Sequence, residues 1–478
     1  MRRSVAIASL LLLAGCAVGP DYRRPVVDVP DAFRCSEKDA RDAANIDWWR
    51  EYRDPVLDAL IADALANNKD VKIATANIEQ AAGIVLQARA SLFPQVGYTG
   101  DAARQRASEK NATPIPSGVS NPQTALSLFA GASWEIDLWG RMRRLSEAAR
   151  ANLLASEEAR RGVILSLVAA VADNYLQLRG LDEQSSIARR TLAVYGESVR
   201  IFELKHKHGQ VSRMNVEQAR TQYESAASAI PQIEAEIART ENALSLLLGR
   251  NPGPIARGKS IHELALPAIP AAIPSRVLER RPDIAQGEQN LIAANAQIGA
   301  AKALYFPAIS LTGNHGRASA ELSDLFKGPA RTWSFSGSIT GPIFTAGSIA
   351  GQVRQAEAVR KGALLAYEAT IQNAFADVEN SLSDRARIAE QLEAQERLVA
   401  AAREYTRLAR LQYDGGYSPY LAVIQAQEQL FPAELNHAKY RASLFTSYVN
   451  IYKAMGGGWI AGPAPAGSPP ESHAPDHR

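Results

Sequence analysis

One segment of the chain matches a phosphate-binding pattern. Gly253 to Ser260 reads Gly-Pro-Ile-Ala-Arg-Gly-Lys-Ser, and in a P-loop the amides, lysine and serine of such a run cradle phosphates and Mg²⁺. That mechanism needs a strand before the loop and a helix after it. Here a heptad-patterned segment precedes it, and Pro267, Pro270 and Pro274 oppose a following helix. The sequence therefore predicts a chance match in a loop, with no nucleotide and no other cofactor.

A second segment carries metal-ligand residue types. His206 and His208 alternate with Lys205 and Lys207 just before Gly209. Two alternating histidines could hold a metal, but no carboxylate or third histidine lies near in sequence. We favour a solvated basic tip that docks a partner. Because no Ser/His/Asp or Cys/His set is evident either, the chain is predicted not to be an enzyme.

The N-terminus has the features of an export signal. Arg2 and Arg3 form a basic region, and an apolar run from Val5 leads to Leu-Ala-Gly-Cys, which ends at Cys16. This resembles the bacterial lipobox, in which the cysteine becomes the acylated first residue of the mature chain. Ala17, rather than an aspartate, follows it, and by resemblance this sorts a lipoprotein to the outer membrane. Cys35 then has no partner cysteine.

Composition excludes several classes. Of 478 residues, 46% are hydrophobic, 22% charged and 7% aromatic, which is too apolar for a disordered chain and favours long Ala-rich helices. The net charge of +3 becomes +1 when Arg2 and Arg3 are removed, so no footprint for nucleic acid is present. The best apolar run, Val163 to Ala172, has ten residues, against the ~20 that a membrane helix needs. Such a chain is soluble, lipid-anchored or inserted through strands.

The chain is an internal duplication. Landmarks recur at an offset of 207 residues, namely Gly140 with Gly347, Gly209 with Gly416, and Gly249 with Gly456. Within each copy a segment of 68 residues contains no proline, Arg141 to His208 and Ser348 to Gly415. As helix, each would extend ~100 Å. We therefore predict elongated helices packed side by side.

Heptad spacing supports that prediction. In the first copy the heptad positions, spaced alternately by three and four and mostly apolar, are Val216, Ala219, Tyr223, Ala226, Ile230, Ile233, Ile237, Thr240, Leu244 and Leu247. In the second they are Val423, Ala426, Leu430, Ala433, His437, Tyr440, Leu444, Ser447, Ile451 and Ala454. Sustained heptads indicate helices that share a seam. Pro231 and Pro432 should kink their helices without ending them.

A period of two precedes each long helix. Apolar residues alternate with small polar ones from Leu126 to Ile136 and from Trp333 to Ile339, with shorter alternations after Phe93-Pro94 and Phe306-Pro307. This predicts four strands, each near the length of a transmembrane β-strand, although two soluble hairpins remain an alternative. Four strands cannot close a barrel, and open edges cannot lie in lipid. Three chains would pool twelve strands.

Four segments together resemble a known family. In order along the chain they are Cys16-Ala-Val-Gly-Pro-Asp-Tyr22, Trp48-Trp49 with Asp54-Pro55, Trp134-Glu-Ile-Asp-Leu-Trp-Gly-Arg141, and Leu278-Glu-Arg-Arg-Pro-Asp-Ile284. They are similar to the signature segments of the outer-membrane factor family, the TolC-like, lipidated exit ducts of tripartite multidrug pumps. The resemblance runs from Cys16 to about Trp459. It implies a mainly α fold with a membrane β-barrel: a homotrimer with a TolC-like α-helical tunnel, a shared 12-stranded barrel and an equatorial girdle.

The resemblance also suggests how the chain is divided. The expected segments are a signal peptide at 1–15, a lipidated and equatorial segment at 16–53, a first repeat at 54–249, an equatorial linker at 250–275, a second repeat at 276–456 and a tail at 457–478. The implied partners are a periplasmic membrane-fusion adaptor, an inner-membrane RND-type pump and outer-membrane lipid. The implied location is the outer membrane, lipid-anchored and barrel-inserted, with the helices in the periplasm.

The pore mouth follows from the same resemblance. Leu421, Gln425 and Glu428 share a helix face opposite the heptad stripe, and Gln425 stands where the family commonly has a ring of aspartates. Glu428 would then supply a cation-attracting ring, with Leu421 narrowing the aperture. Tyr413 matches a tyrosine that latches neighbouring helices. The adaptor-docking tips comprise Lys205, His206, Lys207, His208 and Gly209 together with Gly415 and Gly416.

Two other functions remain open from the sequence. One is an exit duct for type I protein secretion, which shares the fold, although the lipobox and the Arg-Arg-Pro-Asp segment favour efflux. The other is a coiled-coil lipoprotein scaffold without a channel, which explains the heptads but not the duplicated strands.

Overall fold

Helices and one four-stranded sheet make up most of the part of the chain that the structure describes. The computed structural model describes residues 17–26, 47–110, 118, 120–269 and 281–457, so Cys16, Cys35 and the C-terminal tail lie outside the described residues. The α-helices in this part are α1 (Pro55–Asn67), α2 (Lys69–Ala90), α3 (Arg141–Lys207), α4 (Arg213–Leu247), α5 (Pro282–Ala303), α6 (Ser348–Asp414) and α7 (Leu421–Ala454), and short 3-10 helices lie at Trp48–Tyr52 and Gly328–Ala330. The strands are β1 (Gln95–Gln105), β2 (Gln123–Ile136), β3 (Ala308–Ser319) and β4 (Arg331–Thr340). Across the described residues, none of the helices combines the length and apolarity that crossing a membrane requires.

The two long proline-free segments are continuous helices, as predicted. Helices α3 and α6 each contain 67 residues. The heptad stripes of α4 and α7 are buried or half-buried at every position along their length. Pro231 and Pro432 lie inside α4 and α7 without ending them, also as predicted.

The duplication extends to backbone conformation. The glycine pairs at the offset of 207 residues all adopt positive φ, with values of 77° and 86° at Gly140 and Gly347, 74° and 77° at Gly209 and Gly416, and 71° and 73° at Gly249 and Gly456. A left-handed residue after the last helical turn ends a helix without a Cβ penalty when it is glycine. The pairs Gly209 with Gly416 and Gly249 with Gly456 recur because both copies end their helices in the same way, whereas Gly140 and Gly347 immediately precede α3 and α6.

The strands form one antiparallel sheet in the order β1-β2-β3-β4. The four predicted strands are therefore confirmed, and β1 runs to Gln105 because all eleven of its residues pair with β2. One face carries the alternating apolar residues, with Trp333 65% and Phe335 81% exposed. Phe129 departs from the pattern, since it lies on the small-polar face, where its ring covers Gly316 of β3.

The described chain separates into two compact units, and each takes residues from both copies. The first contains the sheet and comprises Asn77–Glu157, Gln286–Glu368 and the N-terminal residues up to Val26. The second comprises Val27–Ala76, Glu158–Ala285 and the residues from Ala369 onward. A length of 478 residues predicts two or three domains, and the division into segments that the family resemblance implies remains a prediction.

A buried aromatic core organises the second unit. Trp48 and Tyr52 are fully buried, and Trp48 stacks on Tyr452 of α7 with ring centroids 5.2 Å apart. The core also takes Ile255 and Ile261 from the loop after α4. These are the segments expected in the girdle, and within the described residues they pack together.

The loop that matches the P-loop pattern binds a carboxylate of its own chain. Asp54 is fully buried, and its Oδ2 accepts hydrogen bonds from the Tyr175 hydroxyl at 2.7 Å and the Lys259 amide at 3.1 Å. The Gly258 amide donates to the Tyr175 hydroxyl at 3.0 Å. Helix α4 precedes the loop, and a turn at residues 261–263 followed by irregular chain to residue 269 comes after it. Because these amides already hold Asp54 and Tyr175, the segment has a structural role.

The residues after Cys16 form a strap within the first unit. The Val18 amide donates to the Trp139 carbonyl at 3.0 Å, and Asn295 donates to the Pro20 carbonyl at 2.8 Å. Gly19, at φ 110°, comes so close to α5 that a Cβ on it would lie 2.4 Å from the Gly299 Cα. Only glycine fits this crossing.

Candidate functional site

The candidate mouth consists of the ends of two helical hairpins, α3–α4 and α6–α7, and their turns have the same geometry. The Gly209 amide donates to the His206 carbonyl and the Gln210 amide to the Lys205 carbonyl, both at 2.9 Å. The equivalent amides of the second hairpin, Gly416 and Tyr417, repeat both bonds at 3.0 and 2.8 Å. This pair of bonds is the Schellman motif. It gives each hairpin a tight, defined tip.

An aromatic cluster joins the two hairpins next to these tips. Tyr420 is 3% exposed, and its ring centroid lies 4.1 Å from that of Phe202 and 5.2 Å from that of Tyr413. Burial raises the pKa of Tyr420, so the phenol stays neutral at physiological pH. The cluster fixes the end of α3 against the start of α7.

The predicted latch tyrosine contacts a predicted docking residue. Lys205 Nζ donates to the Tyr413 hydroxyl at 3.3 Å and lies 5.3 Å from the centroid of the Tyr413 ring. The ammonium therefore makes both a hydrogen bond and a cation–π contact. Lys205 is half-buried, whereas His206, Lys207 and His208 are exposed. Lys205 thus differs from the other residues of the tip, because its ammonium group is bound by Tyr413.

The three residues predicted to face the channel lie on one exposed face of α7. Leu421 is 46% exposed, and Gln425 and Glu428 are exposed as well, whereas Val423 and Ala426 on the opposite side are buried. The helical periodicity therefore assigned the faces of α7 correctly within this chain. Whether the exposed face lines a pore stays a prediction.

The Glu428 side chain accepts a hydrogen bond from a neighbouring helix. Its Oε1 accepts a hydrogen bond of 2.7 Å from Nε2 of Gln222 on α4. The donor is a neutral amide, so the bond orients the carboxylate while leaving its negative charge uncancelled. The hydrogen bond from Gln222 therefore fixes the position of the Glu428 carboxylate without neutralising it.

One histidine at the first tip, His206, contacts the backbone of the turn. His206 Nδ1 lies 3.0 Å from the Val211 carbonyl oxygen, which it can approach as a donor. Among the residues that the structure describes, no group of three or more His, Cys, Asp or Glu side chains is placed to hold a metal. At the second tip Gly415 and Gly416 are exposed, and the adjoining Tyr417 is 90% exposed.

Three residues of the site were not anticipated from the sequence. Phe202, Tyr420 and Gln222 make the contacts that hold Tyr413 and Glu428 in place. Phe202 and Ala409 are related by the offset of 207 residues and are buried in the same cluster, but the offset alone does not predict that burial. Gln222 had no signal in the sequence either, since a polar residue beside a heptad position is ordinarily solvated.

The family of this chain follows from comparison with known proteins. The model of the outer membrane efflux protein family matches residues 60–250 and 273–457, one stretch in each copy. The chain belongs to the outer membrane efflux protein family.

Individual relatives match over nearly the whole chain. The probable efflux pump outer membrane protein TtgC of Pseudomonas putida is 37% identical over 463 residues, 95% of each chain. The cation efflux system protein CusC of Escherichia coli is 35% identical over 460 residues, 94% of this chain and 97% of that one. The crystal structure of the open state of the Neisseria gonorrhoeae MtrE outer membrane channel matches with a TM-score of 0.84 at 32% identity, covering 93% of this chain and 99% of that one. The TolC-like fold class is thereby confirmed.

Proposed function

We propose that this protein is the outer-membrane exit duct of a tripartite efflux system, through which small molecules leave the periplasm. One observation carries the proposal beyond family membership. The sheet has two long edges, β1 of 11 residues and β4 of 10, and each pairs with a single neighbour within the described chain. Its exposed apolar face suits lipid, where unpaired edges are not tolerated.

Association of three copies of the chain would pair both edges of the sheet. If β4 of one chain pairs with β1 of the next, three chains close a barrel of about twelve strands, within the range known for outer-membrane barrels. The small-polar face, with Ser334, Ser336 and Thr312, then lines the lumen. A lumen lined by small polar groups conducts solutes without recognising them. This is consistent with the sequence, in which no residue pattern identifies a transported compound.

The remaining assignments complete the proposal. Acylated Cys16 anchors the chain in the same membrane, and the tips at His206–Gly209 and Gly415–Gly416 contact a periplasmic membrane-fusion adaptor, which connects to an inner-membrane RND-type pump. Glu428, Gln425 and Leu421 line the periplasmic mouth. Relatives named as an efflux pump outer membrane protein and a cation efflux system protein support the connection to an efflux system.

The test is electrical and hydrodynamic. The full chain is purified in detergent, its mass is measured by light scattering, and it is inserted into planar bilayers. We expect a trimer and discrete conductance steps. A monomer without conductance would point to the coiled-coil scaffold. Conductance combined with restored export of an unfolded protein, rather than of a dye, in a cell lacking its own duct would point to type I secretion.

A further inference from the structure

The apolar face of the sheet, here called the outward face, becomes basic toward one end. Near the helix-bound end it carries Ile136 and Ile339, which are aligned with Ile309 between them. Toward the opposite end the positions on this face are Arg317 and Arg331, and Arg104 occupies the same face on β1. The change from apolar to basic follows from the strand register alone.

Two of these arginines are direct cross-strand partners. Arg317 of β3 pairs with Arg331 of β4, and like charges directly opposite each other destabilise a sheet. Nearby groups do little to offset the repulsion. The Arg317 guanidinium lies 5.9 Å from the Phe326 ring and donates to the Lys327 carbonyl at 3.3 Å, while Asp324 is paired with Lys327 instead.

Acidic residues of the strands lie on the other face. The register places Asp101 and Glu135 on the small-polar face, and none of the four described strands has an acidic residue on the outward face. Charge is therefore segregated, with bases outward and acids inward. An anion that relieves the Arg317–Arg331 repulsion must come from outside the sheet.

The position of the Arg317–Arg331 pair along the strands suggests where such an anion comes from. The apolar positions of β2 run from Leu126 to Ile136, ten steps that span ~34 Å along the strand and about 26 Å at a tilt of ~40°, near the usual height of the lipid-facing band. Arg317 is paired with Leu128, close to the end of that band. Long arginine side chains at such a level extend toward the head groups.

We propose that Arg317 and Arg331, together with Arg104, form an arginine rim that binds the phosphate groups of membrane lipids in the leaflet away from the helices. This inference rests on the proposed function, because it requires the strands to span the membrane. A phosphate placed between two guanidinium groups accepts paired hydrogen bonds from both and cancels their repulsion.

The test measures lipid preference beside the rim. The full chain is reconstituted in phosphatidylcholine vesicles that contain brominated phosphatidylglycerol or, in parallel, brominated phosphatidylcholine, and tryptophan quenching is recorded. Trp333 lies on the outward face two residues from Arg331, and every form tested carries Trp134→Phe, which removes the other tryptophan that the strand register places on this face, so that quenching reports on lipid at the rim. We expect the wild-type protein to prefer the anionic lipid, and the preference to fall about fivefold for each arginine replaced in Arg317→Gln and Arg331→Gln.

A matched control removes the same charge elsewhere. Arg354→Gln with Lys361→Gln neutralises two residues on helix α6 and should leave the preference unchanged. Equal preference in the wild-type protein and the rim variant would overturn the proposal. Competition by millimolar inorganic phosphate would also overturn it, because the rim would then be a site for free anions.

Thermal stability gives an independent test, because the change in Tm caused by Arg331→Gln should have opposite signs in uncharged detergent and in the presence of anionic lipid. In uncharged detergent, Arg331→Gln should raise the Tm because it removes the repulsion from Arg317; with phosphatidylglycerol added, it should lower the Tm relative to the wild-type protein. A change of the same sign in both conditions would contradict the proposal. Conductance of the variants separates the two hypotheses: channels with unaltered lipid preference refute the rim alone, whereas no conductance in any form refutes the exit duct.

Discussion

Gln222 on α4 donates a hydrogen bond of 2.7 Å to Glu428 on α7. The bond ties the face that carries Leu421, Gln425 and Glu428 to the neighbouring hairpin. Since an amide supplies no positive charge, the carboxylate keeps its attraction for cations. The face of α7 predicted to line the mouth therefore has a fixed anionic position, Glu428, one helical turn from a neutral one, Gln425.

Charge at the mouth should control cation selectivity. Glu428→Gln removes one negative charge per chain, so we expect lower cation selectivity in planar bilayers. Gln425→Asp adds a charge on the same face and should strengthen block by a trivalent cation. If neither variant changes its respective property, this face does not line the pore.

The hydrogen bond from Gln222 to Glu428 provides the control for this experiment. Gln222→Met removes the donor but retains the Glu428 carboxylate, so cation selectivity should persist. If Glu428 serves only to hold α4 against α7, Gln222→Met and Glu428→Gln should have the same electrical phenotype. Selectivity and block measured on both variants distinguish charge from packing.

The two faces of β4 should tolerate charge differently. Trp333→Asp with Phe335→Asp places carboxylates on the outward face, at a cost on the order of 2 kcal/mol each in lipid, so membrane insertion should fail. Ser334→Asp with Ser336→Asp alters the other face and should insert normally. Membrane fractionation measures the outcome, and equal tolerance of the two pairs would mean that the assigned faces are wrong.

Acylation should be dispensable for insertion. Cys16→Ser, exported through a different signal, should lose the lipid yet stay with outer-membrane fractions, because the strands supply their own apolar band. Recovery of this variant entirely as a soluble periplasmic monomer would contradict the expectation and favour a scaffold.

The loop around Asp54 should be intolerant of a single methyl group. A Cβ at Gly258 would lie 2.1 Å from Asp54 Oδ1, so Gly258→Ala should lower the free energy of unfolding by about 1–3 kcal/mol. In the same loop, a Cβ at Gly253 would meet only the Asn251 carbonyl oxygen at 4.0 Å, and Gly253→Ala should be nearly neutral. Thermal unfolding in detergent compares the two, and equal effects would contradict the role given to Asp54.

Periodicity predicted the elements but not their contacts. The heptads placed α4 and α7 and their buried sides, because a stripe of apolar residues fixes which side of a helix packs. Strand β1 was anticipated only near Val96 and Tyr98, since Gly100 and Ala102 carry no apolar signal and pairing with β2 holds that part. The Lys205–Tyr413 contact depends on how two hairpins rotate against each other. Spacing within one helix carries no information about that rotation.

The strap imposes an order on assembly. Tyr22 donates a hydrogen bond to Glu288, 266 positions later, and Pro20 accepts one from Asn295, 275 positions later. A chain that crosses the inner membrane from its N-terminus must expose more than half of its length before these partners emerge. Until then, any lipid on Cys16 can tether only an incomplete protein, and contacts so distant in sequence form slowly. Docking of the strap therefore requires export of the whole first copy and of the start of the second, which places it after the midpoint of the biogenesis of the protein.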